Sequence, residues 1–240
     1  MMPTKERYPS SYLIECDGTR VLLDCGHMTI PRLLEHGIDL FSLDAIVLTH
    51  FHADHIAHLL PIVFARFVDA AERNIQNREL AIIGPPTLKD RYQKLREVMW
   101  PEAQTPPIRI IEIDKNLFMH GPFSFSPFPV IHSALFPCRG YRIEAAGKML
   151  VYTGDMGCEQ ESGFEKNLQN ADLLLIECGT DKESKNHCTP GRAIAFGTEA
   201  GAKRIILTHI SAHRIPGITQ SIAPHASIVT LAEDGMQVTL

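Results

Sequence analysis

Apolar positions along this chain follow two rhythms, a period of two and a period near 3.6, broken by a few runs with no polar interruption. Ser11 to Cys16 and Arg20 to Leu23 read as a hairpin turning at Asp17-Gly18. Ala45 to Thr49 and Asp172 to Glu177 are apolar almost throughout, as strands buried on both faces are. Ala81 to Gly84 and Ile108 to Ile113 read as further strands, and Ile205-Ile206-Leu207-Thr208-His209 echoes Ile46-Val47-Leu48-Thr49-His50. Residues 123 to 131 alternate weakly and deliver His132 at their end. Arg139 to Glu144 and Met149 to Thr153 form a hairpin about Ala146-Gly147, and Ala226 to Ala232 with Met236 to Leu240 form a final one. The longer period predicts a short helix from Thr29 to His36, capped by Thr29 and stopped by Gly37. It also predicts Ile56 to Glu72, with Pro61 in the first turns, and Thr87 to Met99 after Pro85-Pro86. A last helix runs to about Ala200, with Thr189 as cap and Pro190 as first residue. Pro101 to Pro107 is a proline-containing loop. Strands followed by helices occur twice, which predicts an α/β sandwich with helices outside two facing sheets.

The chemistry gathers where the run Ala45 to Thr49 ends, at His50-Phe51-His52-Ala53-Asp54-His55. His50 and His52 stand two apart, so in an extended loop their side chains project the same way. Asp54 and His55 follow where a helix begins, and a turn there aims them at a neighbouring point. Two imidazoles on one point and a carboxylate with an imidazole on another form the ligand set of a two-metal site. A lone histidine in such a place is more often a hydrogen-bonded loop residue. His27 and His36 read as surface residues, and His58, on the helix from Ile56, reads as structural rather than a ligand. Strand ends also present His132, Asp155 after Gly154, and His209; spacing alone leaves open whether they join the first cluster or are ordinary strand-end residues.

Thr49-His50-Phe51-His52-Ala53-Asp54-His55 resembles the signature of the metallo-β-lactamase superfamily. With the later segments, the chain is similar to the ribonuclease Z-like and small phosphodiesterase branch, from about Pro9 to the C-terminus. The resemblance implies the αββα four-layer sandwich of the metallo-β-lactamase fold, as one domain over residues 1–240. It implies one metal held by His50, His52 and His132, a second by Asp54, His55 and His209, and Asp155 bridging both. Imidazoles and carboxylates suit two divalent ions, zinc first, with manganese or iron as alternatives. Such ions, about 3.5–4 Å apart, would lower the pKa of a shared water toward neutrality for attack on phosphorus or a carbonyl carbon. Asp54 is then a candidate acceptor for the attacking proton, as well as a ligand. Asp24 is implied to hold the metal loop by hydrogen bonds; the plainer reading is a strand-end turn carboxylate.

His187-Cys188-Thr189 resembles the His-Ser-Thr element of ribonuclease Z-like proteins, whose histidine contacts a phosphate oxygen or protonates the leaving group. Glu177-Cys178-Gly179 stands where the family has His-Glu-Ala-Thr, and Ile176 replaces that histidine, so support for His187 through it is lost. The family's tRNA-gripping arm has no counterpart in the 16-residue stretch from Arg66 to Ala81. The expected function is therefore a binuclear phosphodiesterase of small molecules or nucleic-acid ends. The alternatives are a lactonase or other carbon-ester hydrolase and, as the nearest variant, a tRNA 3′-processing endoribonuclease. Family members carry a strand and a glycine-rich turn before the first hairpin; here that strand is short or missing.

Composition changes this picture little. In 240 residues, 45% hydrophobic and 21% charged, no apolar run approaches the ~20 residues of a membrane span. The start, Met1 to Arg7, lacks the apolar core of a signal peptide. The six cysteines include no CxxC pair and read as reduced cytosolic thiols. The formal net charge of −5 argues against broad non-specific nucleic-acid binding, though not against a local patch or contact through metals. A homodimer is left open.

Overall fold

The structure, a computed structural model, describes residues 3–5, 7–102 and 106–240. The chain divides into two units, Pro9–Ile113 and Met1–Tyr8 with Asp114–Leu240. The centre of the predicted loop at Pro101 to Pro107 (residues 103–105), and residues 1, 2 and 6 of the N-terminal segment, lie outside the described residues.

The first unit opens with β1 (Tyr12–Cys16) and β2 (Thr19–Leu23), antiparallel as predicted. Asp17 and Gly18 both have positive φ, the backbone a tight two-residue hairpin demands. No strand precedes β1 among the described residues. There follow α1 (Thr29–Glu35), β3 (Ala45–Val47), the single turn α2 (Ala53–Ile56), α3 (Leu59–Glu72), β4 (Leu80–Gly84), α4 (Leu88–Met99) and β5 (Ile108–Glu112). The sheet order is β1-β2-β3-β4-β5, parallel from β2 onward. Parallel neighbours on both sides explain the apolar run of β3: Ala45, Ile46, Val47 and Leu48 are fully buried.

Three details differ from the sequence reading. Thr29 is not the cap of α1 but its first residue, and its hydroxyl donates to the Gly26 carbonyl at 2.6 Å. Gly37 does stop α1, with φ 71° and the Ile38 N–H returning to the Leu33 carbonyl. The predicted helix from Ile56 breaks in two, because the His58 N–H bonds the Cys25 carbonyl at 2.9 Å instead of continuing the helical ladder. Pro61 thus falls in the first turn of α3.

The second unit comprises β6 (Phe118–His120), β7 (Phe123–Pro129), β8 (Arg139–Ala145), β9 (Lys148–Tyr152), β10 (Leu173–Glu177), α5 (Pro190–Glu199), β11 (Ile205–Thr208), α6 (Ile215–Ile222) and β12 (Val229–Leu231). Its sheet runs β12-β11-β10-β9-β8-β7-β6. β6 to β9 form an antiparallel meander, while β9 to β12 are parallel. The core joins Val151, Leu174, Ile176, Ile205 and Leu207 of the strands to Ala193, Ile194 and Phe196 of α5 and Ile218 of α6. The Thr189 hydroxyl accepts the Arg192 N–H at 3.3 Å, capping α5 as predicted. The predicted final hairpin does not form. β12 pairs in parallel with β11, and residues 236–240 contain no strand. The intervening turn is held elsewhere, by the Tyr8 N–H on the Asp234 carboxylate at 3.1 Å.

Candidate functional site

In the first unit the cluster is built around Asp24, at the end of β2 and fully buried. Its carboxylate accepts the Thr49 N–H at 2.8 Å, the Thr49 hydroxyl at 2.8 Å and His55 Nδ1 at 2.7 Å. This is the supporting role the resemblance implied. A hydroxyl has one proton to give. Thr49 gives it to Asp24, so toward His50 Nδ1, 2.9 Å away, Thr49 Oγ1 can only accept. His50 and His55 therefore both carry their proton on Nδ1 and leave Nε2 as a lone pair, the tautomer a metal ligand needs. His50 Nε2 lies 3.2 Å from His52 Nδ1. Two ligand atoms about 2.0–2.1 Å from one tetrahedral ion stand roughly 3.3 Å apart, so this spacing fits a shared cation. His50 and His55 are buried, and His52 and Asp54 are half-buried on the loop and on α2. The residues present fit divalent metal.

Replacing Asp24 with alanine should strand three buried donors. The metal-free protein is expected to lose roughly 3 kcal/mol of unfolding free energy in urea. Unchanged stability would show that Asp24 does not hold the loop.

The second unit assembles its own set. β9, β10 and β11 are neighbouring parallel strands, so their carboxyl ends lie side by side. There stand Asp155, beyond the Gly154 turn, Glu177 and His209. Asp155 faces two imidazoles: Oδ1 is 3.0 Å from His209 Nδ1, and Oδ2 is 3.8 Å from His132 Nε2. His132 gives its Nδ1 proton to the Asn186 carbonyl, again leaving Nε2 for a ligand. His132, Asp155 and His187 each place a donor atom within 4.8 Å of the others, as do Glu177, His187 and His209.

His187 lies at the rim, its side chain 35% exposed, with Nδ1 2.8 Å from Glu177 Oε1. Glu177 is fully buried; it also accepts the Gly179 N–H at 2.7 Å and the Cys188 N–H at 2.6 Å. Burial pushes its carboxyl up, but three donors converge on it and favour the anion. Glu177 in turn raises the pKa of His187 above the usual imidazole value, against burial, which lowers it. The support for His187 that Ile176 put in doubt thus comes from Glu177 directly. The sequence reading missed this contact and also Gly179, where a Cβ would lie 2.2 Å from Glu177 Oε1 and 2.9 Å from His209 Cδ2. The signal was present in the run Glu177-Cys178-Gly179, a carboxylate at a strand end followed by a residue without a side chain.

Of the lone histidines, His58 is structural, as expected, but stands just before α3 rather than within a continuous helix. His58 Nδ1 accepts the Ile30 N–H at 3.0 Å, and burial lowers its pKa. His36 is exposed and His27 half-buried.

Comparison with known proteins agrees with this chemistry. Residues 19–210 match the family model of the Beta-lactamase superfamily domain. The probable metallo-hydrolase YhfI of Bacillus subtilis is 30% identical over 212 residues, spanning 87% of this chain and 82% of the relative. Ribonuclease Z of Methanopyrus kandleri is 28% identical over 269 residues, spanning 99% and 93%. The crystal structure of human tRNase Z, short form, superposes with a TM-score of 0.78 at 25% identity, covering 100% of this chain and 95% of its own. The chain belongs to the β-lactamase superfamily, with the α/β metallo-β-lactamase fold, and is a metallo-hydrolase related to YhfI and ribonuclease Z.

Proposed function

We propose that the protein is a binuclear metal-dependent phosphodiesterase, acting on a small molecule or a nucleic-acid end, with both units serving one catalytic domain. The observation that carries this reading is the tautomer set: His50, His55 and His132 each have Nδ1 tied to a protein oxygen, so each offers Nε2 to a cation. His50, His52 and His132 would hold one ion, Asp54, His55 and His209 the other, and Asp155 would serve both. When bound, the ions supply a water acidified toward neutral pH and positive charge for the oxygens of the electrophile. Zinc suits these donors best, with manganese or iron as alternatives. Asp54 takes the proton of the attacking water. His187, whose protonated form Glu177 favours, meets a phosphate oxygen or gives its proton to the departing alkoxide.

Ribonuclease Z and tRNase Z are relatives by name, which supports phosphodiester chemistry. Only residues 73–79 join α3 to β4, which favours a smaller substrate than a gripped tRNA. Among the described residues no helix is long and apolar enough to cross a membrane. All six cysteines are free and five are buried, which supports a reducing, cytoplasmic setting.

The test is metal reconstitution followed by a substrate panel. Elemental analysis should approach two ions per chain. Bis(p-nitrophenyl) phosphate, cyclic nucleotides or precursor tRNA should turn over faster than a lactone. A folded sample that takes up no metal would sink the reading, and faster lactone turnover would replace it with carbon-ester hydrolysis.

A further inference from the structure

His132 sits in a segment, residues 130–138, that joins β7 to β8 without regular structure. Burial does little to fix its tip, where Leu135 is 84% exposed. Hydrogen bonds to the loop after Asp155 hold the root instead. The Gly157 N–H donates to the Ile131 carbonyl at 2.8 Å. The Gln160 side chain adds a two-ended clamp: Oε1 accepts the Ile131 N–H at 2.8 Å, and Nε2 donates to the Ile131 carbonyl at 3.0 Å and the Gly157 carbonyl at 3.1 Å. Its amide orientation is unambiguous, since the oxygen faces one N–H and the nitrogen faces two carbonyls.

Both polar groups of Ile131 are thereby fixed one residue before His132, and Gly157 is fixed two residues after Asp155. Those two side chains face each other at 3.8 Å. From this geometry we propose that Gln160 is a positioning residue: its amide sets the spacing of His132 and Asp155 for cation binding. The inference rests on the metal reading above. The clamp needs a donor and an acceptor at the same reach. Glutamate has the shape of glutamine but would turn a carboxylate toward two carbonyl oxygens. Methionine fills similar space with no hydrogen bond at all.

The experiment compares the wild type with Gln160→Glu and Gln160→Met. Cobalt titration, followed by the visible ligand-field spectrum and by chelator competition, reads the site. Urea unfolding of the metal-free proteins reads the fold. Both variants are expected to bind cobalt about 10–100-fold more weakly, with altered band intensity, while their urea midpoints stay near the wild type. Glutamate should rescue nothing relative to methionine. Wild-type affinity and spectrum in Gln160→Glu would overturn the assignment, as would an affinity loss that merely follows lost stability. If the wild type itself binds no cobalt, the metal reading falls and this inference with it. If the wild type binds and the variants match it, Gln160 alone is wrongly assigned.

Discussion

Alanine at Asp155 is expected to empty both proposed metal positions at once and to lower turnover by roughly 10³-fold, the several kcal/mol that metal charge stabilisation supplies. Asp155 is buried, with one carboxylate oxygen turned to His209 and the other toward His132. In the proposed assignment those imidazoles serve different ions, and Asp155 carries the negative charge between them. Two divalent ions about 3.5–4 Å apart repel strongly once that charge is gone. Asp155→Asn separates charge from shape, because it keeps the size of the side chain and loses only the anion. Calorimetric titration should show both sites weakened in either variant, with circular dichroism confirming the fold. If one site is lost and the other keeps its affinity, Asp155 is a terminal ligand and the bridging assignment is wrong.

The second large effect is expected at His187. Alanine there should cut turnover of a phosphodiester with a poor leaving group by about 10²–10⁴-fold, the usual range for general acid catalysis, with metal content unchanged. Glu177 holds Nδ1 of the ring and favours the imidazolium, the form that carries a second proton on Nε2 for substrate at the half-exposed rim. A phosphodiester brings two polar oxygens, and one can lie beyond the reach of the ions. A lactone intermediate has a single oxyanion. The loss should therefore shrink for substrates whose leaving group needs no proton. An equal rate in variant and wild type on a poor leaving group would remove His187 from the mechanism.

Particular residues explain how much of this was legible in the sequence. Asp17-Gly18 and Ala146-Gly147 announce hairpins because tight turns require positive φ, and all four residues have it. The apolar runs of β3, β10 and β11 announce buried parallel strands, and the metal-type residues stand at their ends. α6 received no assignment from the sequence, because Pro216 and Gly217 at its start mask the helical period, although proline is tolerated in a first turn. β6, three residues long, is too short to show a period. The final hairpin was misread because a nearby apolar segment looks like a partner, whereas β12 pairs with β11, more than twenty residues earlier. Gln160 and Ile131 are 29 residues apart, and such a contact leaves no periodic mark on either segment.

The Asn186 carbonyl that takes the Nδ1 proton of His132 belongs to the residue just before His187. The same segment is pressed against the Asp155 loop, where Gly157 allows a backbone approach that a Cβ would block at 2.1 Å from the Lys185 carbonyl oxygen. A single peptide thus orients His132, the proposed cation ligand, on one side and carries His187, the proposed acid, on the other. Free energy spent ordering that peptide is common to both. If the proposed assignment holds, a substrate group that steadies His187 would raise cation affinity through His132 by some factor, and thermodynamic linkage would require the cation to raise the affinity for that group by the same factor.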